Sequence, residues 1–163
     1  MIANGQRQNI VVPWNFDNLS RLALNRALEE VENPSFVRVV HVAAPLVGPD
    51  NGLLYSAAEK RKCHELELRF QEQVRDDDRT KQVRFSVVFG NVGQEIASFA
   101  DRCQAKMIVM APREKTQIYR FLFGSSTAQV DRLASCPVLV LDRLPASRPE
   151  KKPQGLINEP ASA

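Results

Sequence analysis

MIVMAPREKTQIYRFLFGSSTAQVDRLASCPVLVL, Met107 to Leu141, is the stretch that decides the fold. It opens on a short apolar run, Met107 to Ala111, and closes on another, Pro137 to Leu141. Runs of this length without polar alternation read as strands buried on both faces. Between them, Pro112 to Phe123 has no settled period. Gly124-Ser125-Ser126-Thr127 then opens a helix that turns Val130, Leu133 and Ala134 inward. Two apolar strands joined through a helix form a parallel β-α-β unit.

The same unit repeats upstream. Asn9 to Trp14 (NIVVPW) reads as a buried strand, followed by a helix with Leu24, Leu28 and Val31 on one face and Ala23 and Ala27 beside them. Asp17 or Asn18 can cap it, and Asn33-Pro34 ends it. Ser35 to Ala43 is a second strand. Pro45, Gly48, Pro49 and Gly52 mark a loop, and about Ser56 to Arg75 is a helix striped by Cys63, Leu66, Phe70 and Val74. A solvated charge cluster, Arg75 to Lys81, precedes Val83, Phe85, Val87 and Phe89, which alternate as a third strand. Gly90 turns the chain, Asn91 with Gln94 resembles a capping box, and Ile96, Phe99, Ala100 and Cys103 follow at helical spacing. This alternation predicts an α/β fold with a five-stranded, parallel, open-twisted sheet and helices on both faces. Ligands of such sheets sit beyond the carboxyl ends of the strands, where the strand order reverses.

Composition bounds the function. With 163 residues, 44% hydrophobic and 25% charged, the chain has the size and balance of one globular domain. No apolar run is long enough to cross a membrane. Residues 1–8 are expected to be a polar extension without the apolar core of a secretory signal, so the expected compartment is the cytoplasm. Residues 143–163, with Pro145, Pro149, Pro153 and Pro160 among charged and small residues, are expected to be a disordered tail. The tail carries +2 of the net charge of +3. The body is therefore nearly neutral, and with 7% aromatics a nucleic-acid surface is not expected. Cys63, Cys103 and Cys136 have no metal or disulfide spacing and read as reduced, structural thiols.

At the strand ends, Gly124-Ser125-Ser126-Thr127 combines free backbone N–H groups, a helix dipole and three hydroxyls, which suits an anion. A capped helix after a glycine turn would look the same. His41 reads as a core or rim histidine, His64 as solvated, Asp17 as a cap rather than a base, and Trp14 as core.

The quoted stretch resembles the carboxyl half of the universal stress protein domain. IVVPWNFDNLSRLAL resembles that family's first strand and helix, RVVHVAAP its second strand and SCPVLVL its last, so the resemblance spans Asn9 to Asp142. It implies the strand order 3-2-1-4-5 and a non-enzymatic, homodimeric stress or regulatory module. The implied dimer pairs through strand five, Val138, Leu139, Val140, Leu141 and Asp142. In nucleotide-binding members the loop after strand four wraps the ATP phosphates. Its glycines map to Ala111, Glu114 and Gly124 and its hydroxyl to Ser125, with Arg113 and Ser126 alongside. The aspartate after strand one maps to Asn15, the adenine-contacting valine to Val42, and Pro13 also matches.

Ala111 adds a methyl where backbone would approach a ligand, Glu114 sets a carboxylate beside a triphosphate, and Asn15 lacks the aspartate's charge. The expectation is weak or no ATP binding, with no required cofactor and no metal. ATP with magnesium, gripped by residues 111–127 as a switch, is the alternative. Related enzymes that activate or cleave ATP need a glycine- and serine-rich loop after strand one. Trp14-Asn15-Phe16-Asp17-Asn18 offers neither. The protein partner is not identifiable from sequence.

Overall fold

The computed structural model describes residues 8–46, 52–111 and 125–141. The strands are β1 (Asn9–Pro13), β2 (Val37–Ala43), β3 (Arg84–Phe89), β4 (Ala105–Met110) and β5 (Val138–Val140). They form one sheet in the order β3-β2-β1-β4-β5, and every neighbouring pair is parallel. The helices are α1 (Asn18–Glu29), α2 (Gly52–Val74), α3 (Val92–Arg102) and α4 (Ser125–Leu133). The expected fold is present in class, order and direction.

Two apolar layers sandwich the sheet. Ile10 and Val12 of β1 join Leu24 and Leu28 of α1 and Phe70 and Val74 of α2 in one cluster. Val11, between them in sequence, joins Ile96, Phe99 and Ala100 of α3 and Val130 of α4 in the other. Adjacent residues of a strand point to opposite faces, so β1 is fully buried on both. Each such valine or isoleucine contributes roughly 1.5–3 kcal/mol.

Local hydrogen bonding moves several boundaries from where periodicity put them. β2 begins at Val37 rather than Ser35, because Pro34–Phe36 forms a 3-10 turn capped by Asn33, whose Oδ1 accepts from the Ser35 N–H at 2.9 Å. β4 starts two residues early, at Ala105, and α2 starts at Gly52. The charged side chains of the 75–81 cluster are largely exposed, as expected, and pair locally, Arg75 with Asp76, Arg79 with Asp77 and Lys81 with Asp78. Within it, however, Asp78–Gln82 is a 3-10 turn that buries Thr80 against the Val74 and Asp77 carbonyls. Leu133, expected to face inward, is 42% exposed. α4 ends there, and its inward line runs instead through Thr127, Val130 and Ala134. Asp17 caps α1 and Asn91 caps α3, while Gly90 takes the turn at φ +147°, which suits glycine. The expectations for residues 1–7 and 142–163 lie outside the described residues.

α3 and α4 touch closely at Gly93, where a Cβ would come within 2.7 Å of the Gln129 Cβ. Gly93→Ala should therefore destabilise the protein by about 1–3 kcal/mol in urea unfolding, despite alanine's better helix propensity. Adding Gln129→Ala, which leaves the Gln129 Cβ in place, should recover only part of the loss. A neutral or stabilising Gly93→Ala would show that the two helices can separate freely.

Candidate functional site

The strand order reverses between β1 and β4, and their carboxyl ends bring the predicted residues to one rim of the sheet. Pro13 is the buried last residue of β1, and Asn15 stands exposed two residues on. Val42, half-buried near the end of β2, pairs in register with Val88 of β3. Ala111 directly follows β4, and it packs against the α1–α2 core. Its side chain is thus partly taken up in packing. Ser125 opens α4 and Ser126 is half-buried in its first turn. Arg113, Glu114, Gly124 and Asp142 lie outside the described residues. Val138, Leu139 and Val140 form β5 and Leu141 follows it, all half-buried on the sheet's margin.

The turn from β1 into α1 is tied to itself. Ser20, buried on α1, accepts the Asn15 N–H on its Oγ at 2.9 Å and donates that hydroxyl to Asp17 Oδ1 at 2.7 Å. The same carboxylate oxygen accepts the Ser20 N–H at 2.7 Å. Trp14 N–H continues the ladder to the Val40 carbonyl at 2.8 Å, and the Trp14 carbonyl accepts from His41 Nδ1 at 2.7 Å. A carbonyl can only accept, so the hydrogen sits on Nδ1 and Nε2 is left as the acceptor of the neutral ring.

Phe16 completes the turn in the left-handed region at φ +62°. Its ring meets Trp14, His41 and Phe85 edge-on at centroid distances of 6.3, 5.0 and 6.3 Å. The Arg69 guanidinium of α2 covers it at 4.4 Å, and Gln73 Nε2 donates to the Phe16 carbonyl at 3.3 Å. Phe70 of α2 stacks on Phe85 at 4.5 Å and meets Trp14 edge-on at 5.1 Å. Arg21 of α1 also bonds the Gln73 carbonyl, so α1, α2 and the turn are linked. Trp14 is core, as expected. The roles of Phe16, Arg69 and Gln73 were not foreseen. An aromatic directly after a strand, at a position that would suit glycine, was the only available signal.

The titratable groups are quiet. Burial lowers the His41 pKa, opposed by its hydrogen bond to the Trp14 carbonyl and reinforced by Arg69 and Lys62, so the ring is neutral at physiological pH. His64 is exposed, as expected. Burial raises the thiols of Cys63 and Cys103, with Glu59 and Glu67 adding to the first, which keeps both protonated and unreactive. Among the described residues no cluster of histidine, cysteine or carboxylate groups could hold a metal ion, and no helix is long and apolar enough to cross a membrane.

A doubly wound α/β sheet whose strand order reverses between β1 and β4 defines the class of protein. The profile of the Universal stress protein family matches residues 6–142, and the chain belongs to that family. It is 28% identical over 149 residues to a universal stress protein of Methanocaldococcus jannaschii, covering 88% of each chain. Among solved structures, it superposes on a universal stress protein in complex with cAMP at a TM-score of 0.58 and 20% identity, covering 83% of this chain and 97% of that one. It also matches one from Archaeoglobus fulgidus in complex with dAMP, at 0.52 and 21%, covering 83% and 98%. These likenesses establish the shared fold.

Two outcomes follow from the turn. Phe16→Gly should be less destabilising than Phe16→Ala by about 1 kcal/mol, since both lose the ring but only alanine keeps the left-handed strain. Equal or reversed losses in urea unfolding would mean that the backbone there is unstrained. For His41, the folded pKa lies below the unfolded one, so the unfolded chain binds more protons and stability falls as pH drops through and below the ordinary histidine range. His41→Asn, which keeps a donor for the Trp14 carbonyl, should flatten the fall in melting temperature between about pH 7 and pH 5. An unchanged slope would remove His41 from that balance.

Proposed function

We propose that the protein is a non-enzymatic regulatory module of the universal stress protein family, working as a homodimer with weak or no ATP binding. The observation that carries this reading is the self-paired β1–α1 turn. The Asn15 N–H, the Ser20 hydroxyl and the Asp17 carboxylate satisfy one another, so these groups are already engaged and not offered to a ligand. Asn15 brings an exposed amide without the charge that would favour a ribose diol. The raised thiol pKa values of Cys63 and Cys103 supply no activated cysteine nucleophile.

The dimer is supported by β5. Val138–Val140 is short, apolar and, among the described residues, paired only with β4. An uncharged edge of this kind favours pairing with another strand, and a two-fold mate through Val138 to Asp142 fits it. The second reading, a nucleotide switch gripping ATP with magnesium through residues 111–127, is favoured by the relatives solved with cAMP and dAMP. It also gains from the Ala111 methyl, which is taken up by the core.

Light scattering at micromolar concentration should give twice the chain mass, and the mass of one chain would overturn the dimer. Acid release from the purified protein followed by mass spectrometry should find adenine nucleotide well below one per chain. A stoichiometric yield would replace the nucleotide-free reading with the switch.

A further inference from the structure

β3 is the margin of the sheet opposite β5, and among the described residues its one strand partner is β2. Val83 and Phe85 pack toward the α1–α2 layer, so Arg84 between them projects to the α3–α4 face. Arg38 of β2 sits between Val37 and Val39, which also belong to the α1–α2 layer, and so projects to that same face. Arg38 and Arg84 are partners in register, side by side at the amino end of the sheet. Arg102, in the last turn of α3, directly precedes Cys103, whose thiol also feels Arg38. Two arginines therefore stand side by side at the start of an edge strand.

Several cations pair with nearby carboxylates, as in Arg26–Glu30, Lys62–Glu65 and Arg79–Asp77. Arg38 Nε instead donates to the neutral Asn9 Oδ1 at 3.3 Å, and Arg102 reaches Ser98 Oγ and the Phe99 ring. Arg84 is exposed and has no carboxylate partner among the described residues. Like charges opposite one another on neighbouring strands cost stability. Charge on an edge also repels unwanted strands, and that repulsion is selective. A second copy would bring RFSVVF, which has one arginine and no carboxylate, against the same arginines. An acidic strand would instead be drawn in.

We propose that the β3 edge accepts an extended acidic segment of a partner protein, which adds a strand to the sheet. Its carboxylates meet Arg84 and Arg38 on the α3–α4 face. Its alternate apolar residues lie beside Phe85, Val87 and Phe89 on the other. Main-chain hydrogen bonds provide the affinity, and the alternation of acidic and apolar residues provides the selectivity. The surface is separate from β5 and does not depend on the dimer.

The probe is a fluorescein-labelled decapeptide of alternating glutamate and valine, with alternating lysine and valine as the control, followed by anisotropy. The acidic peptide should bind saturably at micromolar concentration and weaken about tenfold between roughly 50 and 300 mM salt. Arg84→Glu, at an exposed position opposite Arg38, should keep or raise the melting temperature, weaken the acidic peptide about tenfold and gain binding of the lysine peptide. Three results would overturn the proposal. The first is no saturable binding of the acidic peptide, and the second is binding indifferent to Arg84→Glu. The third is self-association of Arg84→Ser without acidic-peptide binding by the parent protein, which would assign the arginines to edge protection alone. Light scattering on the same samples reports the β5 dimer separately, so either idea can fail without the other.

Discussion

Val11 and Val12 are neighbours in sequence, both without exposed surface, and they belong to opposite apolar layers. The rest of the structure depends on that double burial. A central parallel strand has no face left for water, so it must be apolar throughout and covered on both sides by helices. Polar chemistry is thereby expelled from the middle of the sheet to its two rims and its two edges. The ladder carries this outward in both directions from β1, through β2 to β3 and through β4 to β5. From Ile10 to Trp14 every residue is buried, and Asn15 is the first to reach the surface beyond β1.

This constraint also explains which parts of the molecule could be read from the letters. Runs such as NIVVP and the helical spacing of Ile96, Phe99 and Ala100 follow directly from burial, so element order, strand direction and most of the core were legible. Boundaries were less so, because they answer to single hydrogen bonds. Asn33 winds Pro34–Phe36 into a 3-10 turn that periodicity cannot register, and Thr80 is buried inside a charge-rich segment by two carbonyls. Leu133 was misplaced because α4 ends before another turn could bring its face to the core. At the rim, Pro13, Asn15, Val42 and Ala111 were correctly placed at strand ends. The contacts of Phe16 with Arg69 and Gln73 were not foreseen, since they join positions more than fifty residues apart.

Phe16 shows how the rim is held. A left-handed backbone at a residue with a side chain costs about 1–2 kcal/mol. Edge-on ring contacts and a covering guanidinium, each worth roughly 0.5–1.5 kcal/mol, are enough to offset it. A glycine would reach the same φ without cost but would leave the turn unanchored. The phenylalanine makes the turn rigid and couples it to α2 through Arg69 and Gln73, and to α1 through Arg21. A turn fixed in this way, with its hydroxyl, carboxylate and N–H already paired, has little freedom to remodel around a ligand.

The two edges remain, and their chemistry differs. β5 is three residues long, uncharged and half-buried, whereas β3 begins with an exposed arginine backed by a second on β2. An uncharged edge does not discriminate against a copy of itself, and a closed two-fold pairing is the simplest way to cover it. A cationic edge disfavours pairing with its own copy. If both margins were apolar, the sheet would have no means of stopping after one pairing and would extend as an open filament. The arginine pair therefore disfavours self-pairing at β3, and under the proposal made above it is the feature that an acidic strand would complement.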